Sequence, residues 1–187
     1  MSLLVAPSLT DLTPGVWNAD ASHSTVGFVV RHLMVSKVRG RFGTFSGTLT
    51  IGEDPLASKV EATAETASIT TGDDGRDTHL KSGDFFDIEN FPTIDFVSTG
   101  IDRDGSDFVL HADVTIKGVT KPVDFELEFD GVATDPWGGT RVGFTAKAEI
   151  NSKDWGLEWN VALETGGVLV GEKVKIELEV EAVKARN

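Results

Sequence analysis

At 187 residues, with 40% hydrophobic and 25% charged positions, the chain has the size and composition of one soluble globular domain. Its 17 Lys and Arg against 30 Asp and Glu leave a net charge of −13, which disfavours nucleic acid and anionic membranes as general partners. There is no cysteine, so disulfides, zinc–thiolate sites and thiol catalysis are excluded.

Residues 1–14 read as a loose lead-in and 15–187 as a single domain. The apolar run Leu3–Ala6 is too short for a signal-peptide core, and no stretch approaches the roughly 20 apolar residues of a membrane span. The chain as written is therefore expected to be cytoplasmic, with no stable membrane insertion. Period-two alternation then dominates. Val26, Phe28 and Val30 form the first row. Residues 39–51, rich in Thr, Phe and Gly, predict a long curved strand, followed by a turn over 52–56. Strands are predicted over 58–69 and 91–101, with a helix over 73–82 between them, capped in the region 72–75. Asp107–Ile116 places Phe108, Leu110, Ala112, Val114 and Ile116 on one face. Lys117-Gly118 reads as a tight hairpin turn. Across residues 119–131, Val123, Phe125, Leu127 and Phe129 oppose Asp124, Glu126, Glu128 and Asp130. Strands over 141–150 and 172–183 complete a set of eight. Eight antiparallel strands in hairpin order remove their edges by closing into a barrel, just wide enough to be filled or to hold one small ligand. A two-sheet sandwich is the alternative.

Catalytic chemistry finds no support in the sequence. The four histidines (His23, His32, His79 and His111) show no metal-binding spacing and no carboxylate–histidine spacing, and no metal or cofactor is expected. Asp73-Asp74-Gly75-Arg76-Asp77 lacks the spacing of a calcium loop and reads as a helix start. The sequence Gly43-Thr44-Phe45-Ser46-Gly47 misplaces the serine of a nucleophile elbow. The aromatic composition is more informative: eleven Phe and four Trp, with no Tyr, supply apolar area without a phenolic tip. Phe28, Phe108, Phe125, Phe129 and Phe144 share inward rows, which fits either a packed core or an apolar tunnel. Trp17 and Trp137 lie near strand ends, as core or as plugs. Trp155 and Trp159 lie in the long segment 151–171, a lid, a mouth loop or a dimer contact.

An ordered set of motifs runs through the chain. It begins with Asp20-Ala-Ser-His23-Ser24, Val26-Gly-Phe28, Arg31-His32-Leu33 and Val38-Arg39-Gly40-Arg41-Phe42. Residues 68–72 (SITTG), 76–87 (RDTHLKSGDFFD), 91–96 (FPTIDF), 115–123 (TIKGVTKPV), Gly143-Phe144 and 154–157 (DWGL) follow. Together they resemble the YceI-like family, the polyisoprenoid-binding, lipocalin-like proteins, over residues 16–183. The resemblance implies an eight-stranded antiparallel up-and-down barrel that binds, transports or stores a long isoprenoid, a polyprenyl phosphate or an isoprenoid quinone, without catalysis. On that expectation the ligand contacts are Phe28, Val30, His32, Phe42, Phe108, Leu110, Phe125, Leu127, Phe129, Phe144, Trp155 and Trp159. Two departures stand out. Family members often carry a secretion leader, whereas none is expected from residues 1–14 here, and Ala112-Asp113-Val114 replaces the family's Gly-Asp-Leu. The competing functions are a filled barrel acting through a protein partner and an enzyme acting on an isoprenoid lipid. A homodimer is left open.

The basic cluster Arg31, Lys37, Arg39 and Arg41 has two readings. In one, Arg31, Arg39 and Arg41, with His32, meet a ligand head group at a mouth. In the other, Arg31 and Arg41 pair with Asp77, Asp84 or Asp87 and tie the helical segment to the barrel.

Overall fold

A computed structural model describes residues 8–33, 35–160 and 170–186. Its strands are β1 (Gly15–Ala19), β2 (Thr25–His32), β3 (Ser36–Phe42), β4 (Phe45–Ile51), β5 (Lys59–Glu65), β6 (Ile69–Thr70), β7 (Thr93–Asp104), β8 (Asp107–Ile116), β9 (Val119–Thr134), β10 (Thr140–Asn151) and β11 (Val170–Lys184), with one helix, α1 (Asp74–Lys81), between β6 and β7. The first six segments are halves of three interrupted strands. β1 and β2 lie end to end along β11, β3 and β4 along that pair, and β6 extends β5 along β3. The result is a closed ring of eight antiparallel strands, sealed where β1 and β2 meet β11.

The alternation sets the faces. Phe108, Leu110, Ala112, Val114 and Ile116 of β8 are all buried, as are Val123 and Phe125 of β9. The Lys117-Gly118 turn has positive φ at both residues (51° and 76°), the mirror-image turn that matches strand twist. A Cβ on Gly118 would also stand 2.8 Å from the Phe91 ring. Helix α1 starts where the acidic run predicts: the Asp73 carboxylate accepts from the Arg76 N–H at 2.9 Å.

One end of the barrel is closed by the chain itself. Within the segment expected as a lead-in, residues 1–7 lie outside the described residues. Leu9–Asp11 forms a 3-10 turn, and Leu12 packs with Trp17, Leu49, Ile51, Val142 and Ala182. Trp17 is fully buried, and its indole N–H donates to the Thr13 carbonyl at 3.1 Å. Trp137 instead sits on a turn, 79% exposed, so it belongs neither to the core nor to a plug.

Interruptions at Asp20–Ser24, Gly43-Thr44 and Thr66–Ser68 fall side by side across the first three strands. Side chains and displaced backbone groups take over the missing ladder bonds. Gly43 N–H donates to Ser68 O (3.2 Å), Glu65 N–H to Thr44 O (2.9 Å) and Glu181 N–H to Ser24 Oγ (3.0 Å). The first break is pinned by Asp20, which accepts from the Ser22 hydroxyl (2.6 Å) and from Arg141 Nη1 (2.8 Å), and bonds His23 Nδ1 (3.0 Å). Arg141 also reaches Asp135 (3.0 Å) and Glu181 (3.2 Å), so one guanidinium joins β10, β11, the β9–β10 turn and the first break.

The Ser22 hydroxyl first, then Arg141 and His23, hold the Asp20 carboxyl far below the usual carboxylate range. Because the folded pKa is depressed, its stabilisation is complete above the unfolded value of about 3.9 and is lost as pH falls toward the folded value. Asp20→Asn is expected to lower Tm by about 5 °C at neutral pH and to flatten the acid side of the Tm–pH curve below about pH 5. Thermal denaturation across pH checks this; an acid slope identical to the parent's would remove Asp20 from the account.

Candidate functional site

Inside the ring lies a cavity of about 320 Å³ whose wall is almost entirely carbon. Nearly every barrel strand contributes inward side chains. β2 supplies Val26, Phe28 and Val30; β8 supplies Phe108, Leu110, Val114 and Ile116; β9 supplies Phe125 and Leu127; β10 supplies Phe144, Ala146 and Ile150; β11 supplies Val174, Ile176, Leu178 and Val180. Leu80, Phe85 and Phe86, from α1 and the segment after it, also line it. The Phe28 ring reaches its place because Gly40, directly opposite on β3, has no side chain: a Cβ there would stand 2.2 Å from Phe28 Cζ.

Of the residues expected to contact ligand, Phe28, Val30, Phe42, Phe108, Leu110, Phe125, Leu127, Phe144 and Trp159 line this cavity. Three are placed elsewhere. Trp155 is buried in the β8–β10 core, its indole donating to Val114 O at 3.0 Å, because a 3-10 turn at Ser152–Trp155 folds it inward. Phe129 packs toward the closed end against Phe144 and the cluster around Trp17, where a β-bulge shifts the β9–β10 register. His32 shares the face of Val30 but lies beyond the cavity, paired with Val170. Sequence reasoning did not reach the contribution of Leu9 and Leu12 at the closed end, nor that of Ile94 and Phe96 on β7. The alternation in residues 93–97 carried the signal for the last two.

At the end away from Trp17, Trp159 packs edge-on against His79 (4.5 Å between centroids) and near Phe85 (5.5 Å). His79 Nε2 bonds Asp84 at 2.7 Å. The Asn160 amide clasps Val170, donating to its carbonyl at 2.7 Å and accepting from its N–H at 3.0 Å. Residues 161–169, the middle of the segment read as a lid or mouth loop, lie outside the described residues. Among the described residues, the charged side chains on the cavity lining are Lys153, Glu158 and Glu172, all here. Lys153 Nζ and Glu172 Oε1 are 2.7 Å apart; the pairing raises the ammonium pKa and lowers the carboxyl's, so both stay charged at neutral pH.

The basic cluster takes neither expected role. Arg31, Arg39 and Arg41 project from the outer faces of β2 and β3, opposite to Phe28 and Val30. Arg39 faces Glu177 of β11 at 3.9 Å, and among the described residues Arg31 and Arg41 form no ion pair. Asp77 accepts from the Thr71 N–H (2.9 Å), Asp84 is held by His79, and Asp87 accepts from Asn90 (2.9 Å), so none of the three meets an arginine of the cluster. His111, expected on a polar face, sits on the outside between Asp124 (2.6 Å) and Asp102 (2.7 Å), and His23 and His79 each touch a carboxylate. These histidine–carboxylate contacts form through strand register and turns, which sequence spacing does not display. Among the described residues, no group of three metal-ligating side chains is arranged to hold an ion.

The YceI-like domain family matches residues 17–182, from β1 to β11. The chain belongs to the YceI-like family. This YceI-like chain is 40% identical, over 164 residues, to the UPF0312 protein SAS2572 of Staphylococcus aureus, covering 87% of this chain and 94% of that one. Its barrel is similar to Burkholderia cenocepacia BcnA (TM-score 0.72, 21% identity, 87% and 98% of the two chains covered). It is also similar to a polyisoprenoid-binding domain from Saccharophagus degradans implicated in plant cell wall breakdown (TM-score 0.70, 16% identity, 92% and 100% covered). A Campylobacter jejuni YceI protein superimposes with a TM-score of 0.70 at 25% identity, covering 83% and 90%. No helix among the described residues is long and apolar enough to cross a membrane.

Proposed function

We propose that this YceI-like barrel binds, and so stores or carries, one isoprenoid-type lipid without acting on it chemically, with the tail in the cavity and an uncharged head group at the Trp159 end. The carbon wall suits a methyl-branched chain, which needs no hydrogen bonds along its length and gains about 0.8 kcal/mol per buried methylene-sized group. Similarity to the polyisoprenoid-binding domain from Saccharophagus degradans supports the tail assignment.

The observation that carries the head-group assignment is the charge at the mouth. Lys153 (+1), Glu158 (−1) and Glu172 (−1) sum to −1, and the one ammonium is already paired. The arginines that would suit a phosphate face away. A phosphate here would lose water without gaining a cationic partner, whereas a quinone or alcohol head brings no charge that needs one.

Delipidated protein should take up a prenylated quinone or a polyprenol at one molecule per chain in native mass spectrometry. It should bind the polyprenyl phosphate of equal tail length at least about tenfold more weakly, the equivalent of about 1.4 kcal/mol. Equal or tighter phosphate binding would overturn the neutral head. Failure of all three ligands to bind would overturn the cavity reading and favour a barrel that works through a protein partner.

A further inference from the structure

The tip of the β2–β3 hairpin stands beside the mouth, since His32 at its base pairs with Val170. Two large apolar side chains there face solvent, Leu33 (41% exposed) and Val35 (82%). Leu33 also has φ +53°, a conformation that costs a leucine more than an asparagine or glycine. Folding accounts for neither feature: a polar residue would leave less apolar surface in water, and an asparagine would relieve the backbone.

The charge around the tip is equally particular. No Asp or Glu occurs between Asp20 and Glu53, although the whole chain carries −13, and Arg31, Lys37, Arg39 and Arg41 all fall in that stretch. Register brings a further cation alongside them. Lys175 of β11 lies opposite Val29, which lies opposite Arg39, and Arg31 lies opposite Lys37. Among the acidic residues of this face, Glu177 and Glu179 pair with Gly27 and Thr25, farther from the tip, and Glu149 of β10 lies opposite Lys175 and 3.9 Å from Lys173. The sequence thus builds an apolar point with a basic collar on a protein that is otherwise strongly acidic.

We infer that the β2–β3 tip docks the barrel on anionic lipid membranes, with Leu33 and Val35 entering the headgroup–acyl boundary and Arg31, Lys37, Arg39 and Lys175 meeting lipid phosphates. Apolar tips bind interfaces by burying area, and each basic residue near an anionic surface adds attraction within a Debye length. Charge complementarity selects the partner: a nucleic acid would use the collar but has no place for the exposed leucine and valine. The inference does not require the cavity ligand to be an isoprenoid; if both hold, docking sets the mouth against the layer from which a lipid is drawn.

Co-sedimentation with vesicles tests it, comparing phosphatidylcholine alone with phosphatidylcholine mixed with phosphatidylglycerol. Binding is expected to the anionic vesicles, despite the net charge, and to weaken at high salt. Leu33→Asn/Val35→Thr should reduce the partition coefficient about tenfold, and Lys37→Gln/Lys175→Gln by a similar factor, with Tm unchanged or raised in the first pair. No binding to either vesicle would overturn the proposal, as would equal binding by parent and both variants. Loss of vesicle binding together with a fall in Tm in the first pair would also count against it, because it would make the tip a folding element. Binding to heparin unaffected by the apolar substitutions, without vesicle binding, would assign the collar to a soluble polyanion instead.

Discussion

Replacing Ala146 by Phe is expected to abolish lipid uptake while leaving the barrel folded. Ala146 is buried on β10, faces the cavity and lies level with Leu178 and Leu127 on the neighbouring strands. A phenyl ring there occupies about the space of one five-carbon prenyl unit. At about 0.8 kcal/mol per methylene-sized group, excluding five carbons costs about 4 kcal/mol, roughly 10³-fold in affinity. Ala146 borders both the cavity and the core cluster around Trp155, so the ring is accommodated from the cavity side at an overpacking cost of about 1–3 kcal/mol. Titration of a prenylated quinone, followed by intrinsic tryptophan fluorescence, gives the affinity, and thermal denaturation gives the fold. Parental affinity in a folded variant would place the tail outside the barrel.

The second large effect concerns the closed end. Trp17→Ala should destabilise the protein by about 3–5 kcal/mol, the usual cost of truncating a large buried aromatic, and lower Tm by about 10 °C. Trp17 is fully buried, packs with Leu12, Leu49, Ile51, Val142 and Ala182, and its indole N–H holds the Thr13 carbonyl. Trp17→Phe would keep most of the packing but lose the hydrogen bond and part of the ring volume, so it should cost about 2 kcal/mol. Chemical denaturation of the two variants separates these contributions; similar losses for both would make the hydrogen bond, rather than the ring, the larger factor.

The barrel was legible because its strands alternate cleanly. The buried row Phe108–Ile116 and its neighbours on β9 announce themselves by period two, and a closed ring is a consistent way to use eight such strands. β1 escaped notice because Gly15–Ala19 offers a single inward anchor, Trp17. The breaks escaped because Asp20–Ser24 and Thr66–Ser68 are short polar 3-10 turns whose meaning depends on neighbouring strands. Much of the cavity wall followed from the same alternation. Trp155 did not, because a residue in a turn obeys no strand period, and Phe129 did not, because depth along the barrel depends on register and on the bulge at β10. The basic cluster was visible, but its outward direction follows from the facing of β2 and β3, and its pairing partner Glu177 lies more than a hundred residues away.

The manner of ring closure bears on how the chain acquires its shape in time. The β7–β8 and β8–β9 pairs close over two-residue turns (Asp104↔Asp107, Ile116↔Val119), contacts that are local and favoured early. The seam between β1–β2 and β11 joins the two ends of the chain and carries the largest loop-closure entropy. The Arg141 cluster and the Ser24–Glu181 hydrogen bonds straddle that seam. They are expected to form after the transition state, so that removing them by Arg141→Ala speeds unfolding and leaves the folding rate nearly unchanged in stopped-flow measurements.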